Sequence, residues 1–318
     1  MVARFDRGRA AGARPSGRDQ RVAEYSRADA ARAASSTRTT ISMNFARFWH
    51  STEIEVPDRA GAAAKVRVWG ASNEDEAAAA AAADVRAAQA RAFFRDRAAD
   101  YEYGNGYIRE EVVDELLDEA GERLAVITRN RYGALVLNTE RVLFGDIDLP
   151  REHALLRLLN RLGRRPRDKQ YYLDRIRRFQ VEHADFSFSV YETCAGLRFV
   201  VTNQEIRPDH VAVELLFQTL PVDQLYRRLC RTQLCFRARL TAKPWRIGLA
   251  QPQVRFPFAD QRERRSFDFW LAQYLAKARN TCAARRLEHI GTGTTSAAIQ
   301  RLLDVHDRYA CDDDAILA

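Results

Sequence analysis

The sequence predicts an α+β fold: an antiparallel sheet built from hairpins and a meander, covered by helices and preceded by a disordered basic arm. Three observations predict it. Several short apolar runs follow one another too closely for parallel crossovers, which need a dozen residues or more. Helical stretches are grouped rather than alternating one for one with strands. The 318 residues, 46% hydrophobic and 30% charged, are enough to bury a core without disulfide or metal staples.

Residues 1–42 hold nine arginines, four acidic residues (Asp6, Asp19, Glu24, Asp29) and almost no large aliphatics. Such a segment cannot bury enough surface to order itself. It reads as a disordered arm or an over-extended start, with initiation at Met43. A basic nucleic-acid arm and a transit peptide are the alternatives, and the acidic residues count against transit. A single domain spans 43–310, with 262–310 as a candidate helical subdomain and CDDD (311–314) opening a frayed tail, 311–318.

Within the domain, KVRVWG (65–70) alternates as a strand. Ser72 stands three residues before Asp75 in a capping-box arrangement, and the alanine-rich run from Ala77 continues as a helix. YEYGNGYI (101–108) reads as a hairpin and REEVVDELLDEAG (109–121) as a short helix stopped by Gly121. LAVIT (124–128), ALVLN (134–138) and VLFGDID (142–148) form the meander. Helices follow over Ala154–Leu162 and Tyr171–Val181. FSFSVYE (186–192) and LRFVVT (197–202) make a hairpin. Then come helices Val211–Leu220 and Val222–Arg231, the strand CFRARL (235–240), a turn at KPWR (243–246) and a loop at QPQVRFPF (251–258). Helices Phe267–Leu287 and Ser296–Tyr309 close the body.

The net charge of +8 points toward polyanions, but five of those charges belong to the arm. Only four cations are lysines (Lys65, Lys169, Lys243, Lys277), an arginine bias that codon usage alone can produce. Five cysteines without a CxxC pair give no zinc motif, and a reducing cytoplasm is the expected compartment. No apolar run is long enough to span a membrane.

The chemistry concentrates in LFGDIDLP (143–150). A strand period of two puts Asp146 and Asp148 on one sheet face, about 7 Å apart, where two carboxylates can share divalent metal. Gly145 leaves room for a ligand beside the backbone. The bland alternative is a turn whose aspartates accept local backbone bonds. Asp-x-Asp at the end of an apolar strand, followed by the hairpin YETCAGLRFVVT (191–202), resembles the catalytic core of archaeo-eukaryotic primases and primase-polymerases. That resemblance covers residues 143–202. It implies that Asp146 and Asp148 hold Mg²⁺ or Mn²⁺, and that Arg198 stands where the family has a histidine on the nucleotide triphosphate. Arginine can clamp phosphate there but cannot titrate as histidine does. For the family's third carboxylate the candidates are Asp209, Glu214 and Asp223. Haloacid-dehalogenase-like phosphatases also carry Asp-x-Asp at a strand end and a later strand ending in threonine, as at Thr202. They want parallel strands, and Thr or Val where this chain has Pro150.

A second signal is LYRRLCRTQLCFRARLTAKPWR (225–246). On a strand Arg237 and Arg239 share one face, opposite Phe236, Ala238 and Leu240. With Lys243 and Arg246, and with Tyr226 and Trp245 nearby, this suits phosphates or a single-stranded backbone. A solvated amphipathic strand is the competing reading. GRRPRDK (163–169) and RIRR (175–178) add charge near the aspartates in sequence. GTGTTS (291–296) reads as helix capping, Cys230 and Cys235 as buried thiols, and His289, His306 and Asp307 as structural. The resulting expectation is a metal-dependent nucleotidyl- or phosphoryl-transfer core acting on nucleotides or nucleic acid, without a membrane partner. The alternative is a non-catalytic nucleic-acid- or protein-binding domain.

Overall fold

Small residues in the first helix answer to a glycine in the strand beneath it. The computed structural model describes residues 43–57, 62–95, 107–150 and 167–318. In it, β1 (Phe48–Pro57) and β2 (Ala63–Ser72) pair as a ten-rung antiparallel hairpin. Helix α1 (Glu76–Arg95) lies across the hairpin on Ala79, Ala83, Ala87 and Ala90, all buried. A Cβ on Gly70 would stand 2.2 Å from the Ala79 carbonyl oxygen and 2.1 Å from the Ala83 nitrogen, so helix backbone rests directly on strand. The alanine run is therefore a packing surface. Its N-cap is Asp75, whose carboxylate accepts from the Ala78 amide at 2.7 Å. Ser72 instead accepts from Glu74 just outside the helix.

Strands β3 (Glu111–Leu117), β4 (Arg123–Arg129) and β5 (Leu135–Thr139) follow as antiparallel neighbours. β3 corrects the expected helix over 109–121. Two of its three acidic residues are neutralised by groups that the strand brings near: Glu111 meets Arg129 and Arg264, and Glu115 meets Arg47. Tertiary pairing overrides helix propensity here. Gly121, at φ +81°, sits in the hairpin turn, and the Asp118 carboxylate accepts from the Ala120 and Glu122 amides.

The third run, β6 (Phe144–Asp148), does not continue the meander. Val142 and Leu143 are fully buried, and β6 pairs with β8 in a different sheet. Helix α2 (Lys169–Glu182), capped by Asp168, precedes β7 (Phe188–Thr193) and β8 (Gly196–Val201), the expected hairpin. Helices α3 (Val211–Thr219) and α4 (Gln224–Gln233) lead into β9 (Phe236–Arg239), which pairs with β5. A 3₁₀ turn (Pro244–Ile247) and helix α5 (Gln261–Ala278) come next.

The expected helix over Phe267–Leu287 ends early. Thr281–Cys282 (β10) and Ala284–Ile290 (β11) are strands, so 262–310 is not all-helical. β11 adds to β7, the Arg286–Glu288 bulge absorbing its irregular pattern. Helix α6 (Ala297–Ala310) is capped by Ser296, as the GTGTTS reading expects. The terminal segment is docked instead of frayed: β12 (Ile316–Leu317) pairs in parallel with β10, and Ala315 and Ala318 are buried.

Two four-stranded sheets result, ordered β3-β4-β5-β9 and β11-β7-β8-β6. They share one apolar core that includes Ile127, Leu137, Phe144, Phe188, Phe199 and Phe236, and all described residues fall in one unit. The expected helix at Ala154–Leu162, the arm 1–42 and most of the 101–108 hairpin lie outside the described residues. No described helix is long and apolar enough to cross a membrane.

The Gly70 contact makes a prediction. Gly70→Ala should destabilise the chain by about 1–3 kcal/mol through overpacking, read as a lower urea midpoint at unchanged slope.

Candidate active site at the junction of the two sheets

β6 and β9 are edge strands of their sheets, and helix α4 fastens one to the other. The Tyr226 hydroxyl donates to the Phe144 carbonyl at 2.8 Å and accepts from the Arg237 amide at 3.2 Å. At the same helix N-terminus the Asp223 amide donates to the Asp146 carbonyl at 3.0 Å. Asp223 also caps the helix, its carboxylate accepting from the Tyr226 amide at 2.8 Å. An acidic N-cap so placed brings a third carboxylate toward Asp146 and Asp148. Of the three candidates Asp223 is the one delivered; Asp209 pairs with Arg207, and Glu214 with Arg227 and Arg231.

Asp146 faces Arg198 across the β6–β8 register. Arg198 Nε and Nη2 donate to Asp146 Oδ1 and Oδ2 at 2.8 and 3.3 Å. Nη1 donates to the Arg239 carbonyl at 2.9 Å and to His306 Nε2 at 3.1 Å. Guanidinium is donor-only, so His306 Nε2 must accept and the ring proton sits on Nδ1, donating to Asp307 Oδ1 at 2.8 Å. Arg198 is 1% exposed and His306 fully buried, whereas Asp146 keeps 31% of its side-chain surface open. No face of Arg198 reaches solvent phosphate. Four of its five N–H groups are already engaged within the protein.

Asp148 is exposed, with neither hydrogen bond nor ion pair among the described residues. Partial loss of hydration, then the charges of Asp223 and Asp146, hold its carboxyl above the usual range; Lys243 and Arg246 pull the other way. The cations mirror this. Burial, then Arg239 and Arg246, lower the Lys243 ammonium, which Asp148 and Asp146 partly restore. Burial, then Arg198 and Arg246, bring Arg239 down to about 10. Among the described residues Arg239 donates only to carbonyls, at Thr241 and Ala318. Arg246 Nη1 is buried without a hydrogen-bond partner among the described residues. Lys243 lies 5.6 Å over the Trp245 ring, which is 48% exposed and steadied edge-on by Tyr132 at 5.3 Å.

The structure divides the expected arginine pair. Arg237 turns to Glu110 at 2.6 and 2.7 Å and to Gln233 at 2.6 Å, in a nearly closed ion pair. The opposite face is as expected, with Phe236, Ala238 and Leu240 fully buried. Gly145 leaves no space for a ligand: a Cβ there would stand 2.3 Å from the Phe199 ring, which fills the gap. In RIRR, Arg175 donates to the Thr219 carbonyl and Arg177 meets Asp174 and Glu288. Cys230 and Cys235 are buried free thiols, each pushed up to about 12 by burial.

A second group with metal-ligand chemistry lies behind the site. His306, Asp307 and Cys311 bring one ligand atom each within 4.8 Å of one another, and they are the described residues that do so. The Cys311 thiol is raised to about 12 by burial and Asp307. Arg198 stands against His306, and Arg286 lies 3.9 Å from Asp307. These three groups could hold a metal ion; in this structure Asp307 Oδ1 joins them, accepting from His306 Nδ1 at 2.8 Å and from the Cys311 thiol at 3.8 Å.

Comparison with known proteins finds no matching family model, no matching curated protein and no matching solved structure.

The buried ring carries a pH signature. Burial first, and Arg198 with it, hold the His306 imidazole below its ordinary range against the opposing pull of Asp307. Its unfolded form binds protons more readily, so its contribution is full above the ordinary histidine range and falls with acidification. The melting temperature should therefore drop more steeply between pH 7 and pH 5 for the parent chain than for His306→Gln.

Proposed function

We propose that this chain is a divalent-metal-dependent nucleotidyl- or phosphoryl-transfer core acting on nucleotides or nucleic acid, with its site between β6 and β9. One observation supports it above the rest. The carboxylates of Asp148 and Asp223 and the cations Lys243, Arg239 and Arg246 act on one another electrostatically or on shared neighbours, yet none closes an ion pair within 4 Å among the described residues. Neighbouring opposite charges that only stabilised the fold would collapse into contact. A gap between them fits a ligand carrying cation and polyanion together.

In donor type Asp146, Asp148 and Asp223 suit Mg²⁺ or Mn²⁺, which prefer hard carboxylate oxygens; their oxygens are not gathered within 4.8 Å of one another, so a bound ion would have to draw them together. When bound, such a metal neutralises charge developing on a phosphoryl oxygen. The chain's own groups do the rest. Lys243 and Arg246 take phosphate oxygens. The open face of Trp245 takes a base by stacking. Arg198, against the expectation that it clamps phosphate, holds Asp146 in place, and Arg237 serves the fold.

Asp148→Asn is the cleanest test, because the Asp148 side chain has no hydrogen-bond or ion-pair partner to lose among the described residues. Asp223→Asn keeps the helix cap, since asparagine caps as well as aspartate. Saturating Mn²⁺ should raise the parent's melting temperature and leave both variants unmoved. Mn²⁺-dependent transfer from labelled nucleoside triphosphates to an oligonucleotide should fall at least about 100-fold in each. Oligonucleotide binding that falls with salt, without any Mn²⁺ response, would assign the chain to the non-catalytic binding class.

Trp245→Ala separates base from phosphate recognition. It should weaken nucleoside triphosphate binding by about 1–3 kcal/mol and leave tripolyphosphate binding unchanged. Arg246→Ala should weaken both, as read by calorimetric titration.

A further inference from the structure

Asp146 is asked to do two things that conflict. It compensates a buried guanidinium, and on the proposed reading, on which this inference rests, it also holds a divalent cation. Arg198 already donates to each Asp146 oxygen, and a guanidinium free to rotate would move those bonds onto the lone pairs a metal needs. Arg198 is not free. Its Nε and Nη2 edge faces Asp146, and the opposite Nη1 corner is held by the Arg239 carbonyl and by His306. Each Asp146 oxygen then accepts one hydrogen bond and keeps a lone pair toward the open side.

The His306 contact requires an acceptor nitrogen, and the 2.8 Å bond from Nδ1 to Asp307 supplies the tautomer that provides one. The ring is also gripped sideways, by Tyr191 at 4.9 Å and Phe144 at 5.5 Å between ring centres. Phe144 begins the strand that carries Asp146. Helix α6, whose His306 lies 160 residues further along the chain than Asp146, thus reaches the site through a single row: Asp307, His306, Arg198, Asp146.

We propose that His306 is a positioning residue for the metal-binding carboxylate Asp146, acting through the orientation of Arg198. It touches neither substrate nor metal.

Two conservative replacements separate this role from packing. The amide oxygen of glutamine can take the place of Nε2 and accept from Arg198. Asparagine reaches only the Nδ1 position and leaves Arg198 without its acceptor. Mn²⁺ affinity, read by electron paramagnetic resonance of the free ion well below each variant's melting temperature, should fall about 10–100-fold in His306→Asn, while His306→Gln stays within about threefold of the parent. KM for the nucleotide should remain nearly constant as kcat at fixed Mn²⁺ falls. Asp148→Asn marks the loss expected of a direct ligand. Asp307→Asn, at a partly exposed position, serves if His306→Asn does not fold, and should lower Mn²⁺ affinity several-fold by releasing the tautomer. Parent-like affinity in His306→Asn or Asp307→Asn, with Asp148→Asn impaired, overturns the positioning role alone. So does equal loss in His306→Asn and His306→Gln, which assigns the effect to packing. A parent chain that takes up no Mn²⁺ overturns the metal reading and this inference together.

Discussion

A guanidinium sealed from water must find its whole compensation inside the protein, and Arg198 finds it on three sides. The charge goes to Asp146, one N–H to the Arg239 carbonyl and one to a neutral imidazole. Those partners come from β6, β9 and α6, so a single side chain joins both sheets and the last helix. Removing one partner from such a buried pair typically costs about 3–5 kcal/mol. The penalty explains the order around it: Arg198 cannot stay in the core unless β6, β9 and α6 are all in place.

The same geometry divides labour at the strand end. Asp146 looks inward to Arg198 and outward with what remains of its oxygens, while Asp148, two residues on, looks outward alone. Helix α4 then sets a third carboxylate beside them as its own N-cap, a position that polar capping residues fill for purely local reasons. Opposite, a short turn after β9 carries Lys243, Trp245 and Arg246, with no counter-charge in contact among the described residues. Local rules place each group, and the meeting of two sheet edges brings them together.

Much of this was legible in the sequence. The pairing of Asp146 with Asp148 follows from strand period, and the antiparallel class from run spacing. Ser296 capping and the buried face of β9 follow from residue type. What failed did so for long-range reasons. The acidic stretch 109–121 reads as helix until Arg47, Arg129 and Arg264 arrive from elsewhere to neutralise it as strand. β6 leaves its sequence neighbours because β8, some fifty residues later, offers Arg198 opposite Asp146. Arg237 and Arg239 look equivalent in sequence, and only the presence of Glu110 tells them apart. Gly145 reads as ligand space but is filled by a phenyl ring from the next strand. His306 and Asp307 stand out together in the sequence but read as structural, since the Arg198 contact that gives His306 its role lies 108 residues away.

The most direct test is a crystal grown with Mn²⁺ and a non-hydrolysable nucleoside triphosphate, with an anomalous map recorded at the manganese edge. Anomalous density is expected against the carboxylates of Asp146, Asp148 and Asp223, with phosphates toward Lys243 and Arg246 and the base on Trp245. Manganese lodged instead among His306, Asp307 and Cys311, or a triphosphate bound away from the β6–β9 junction, would contradict the proposed site.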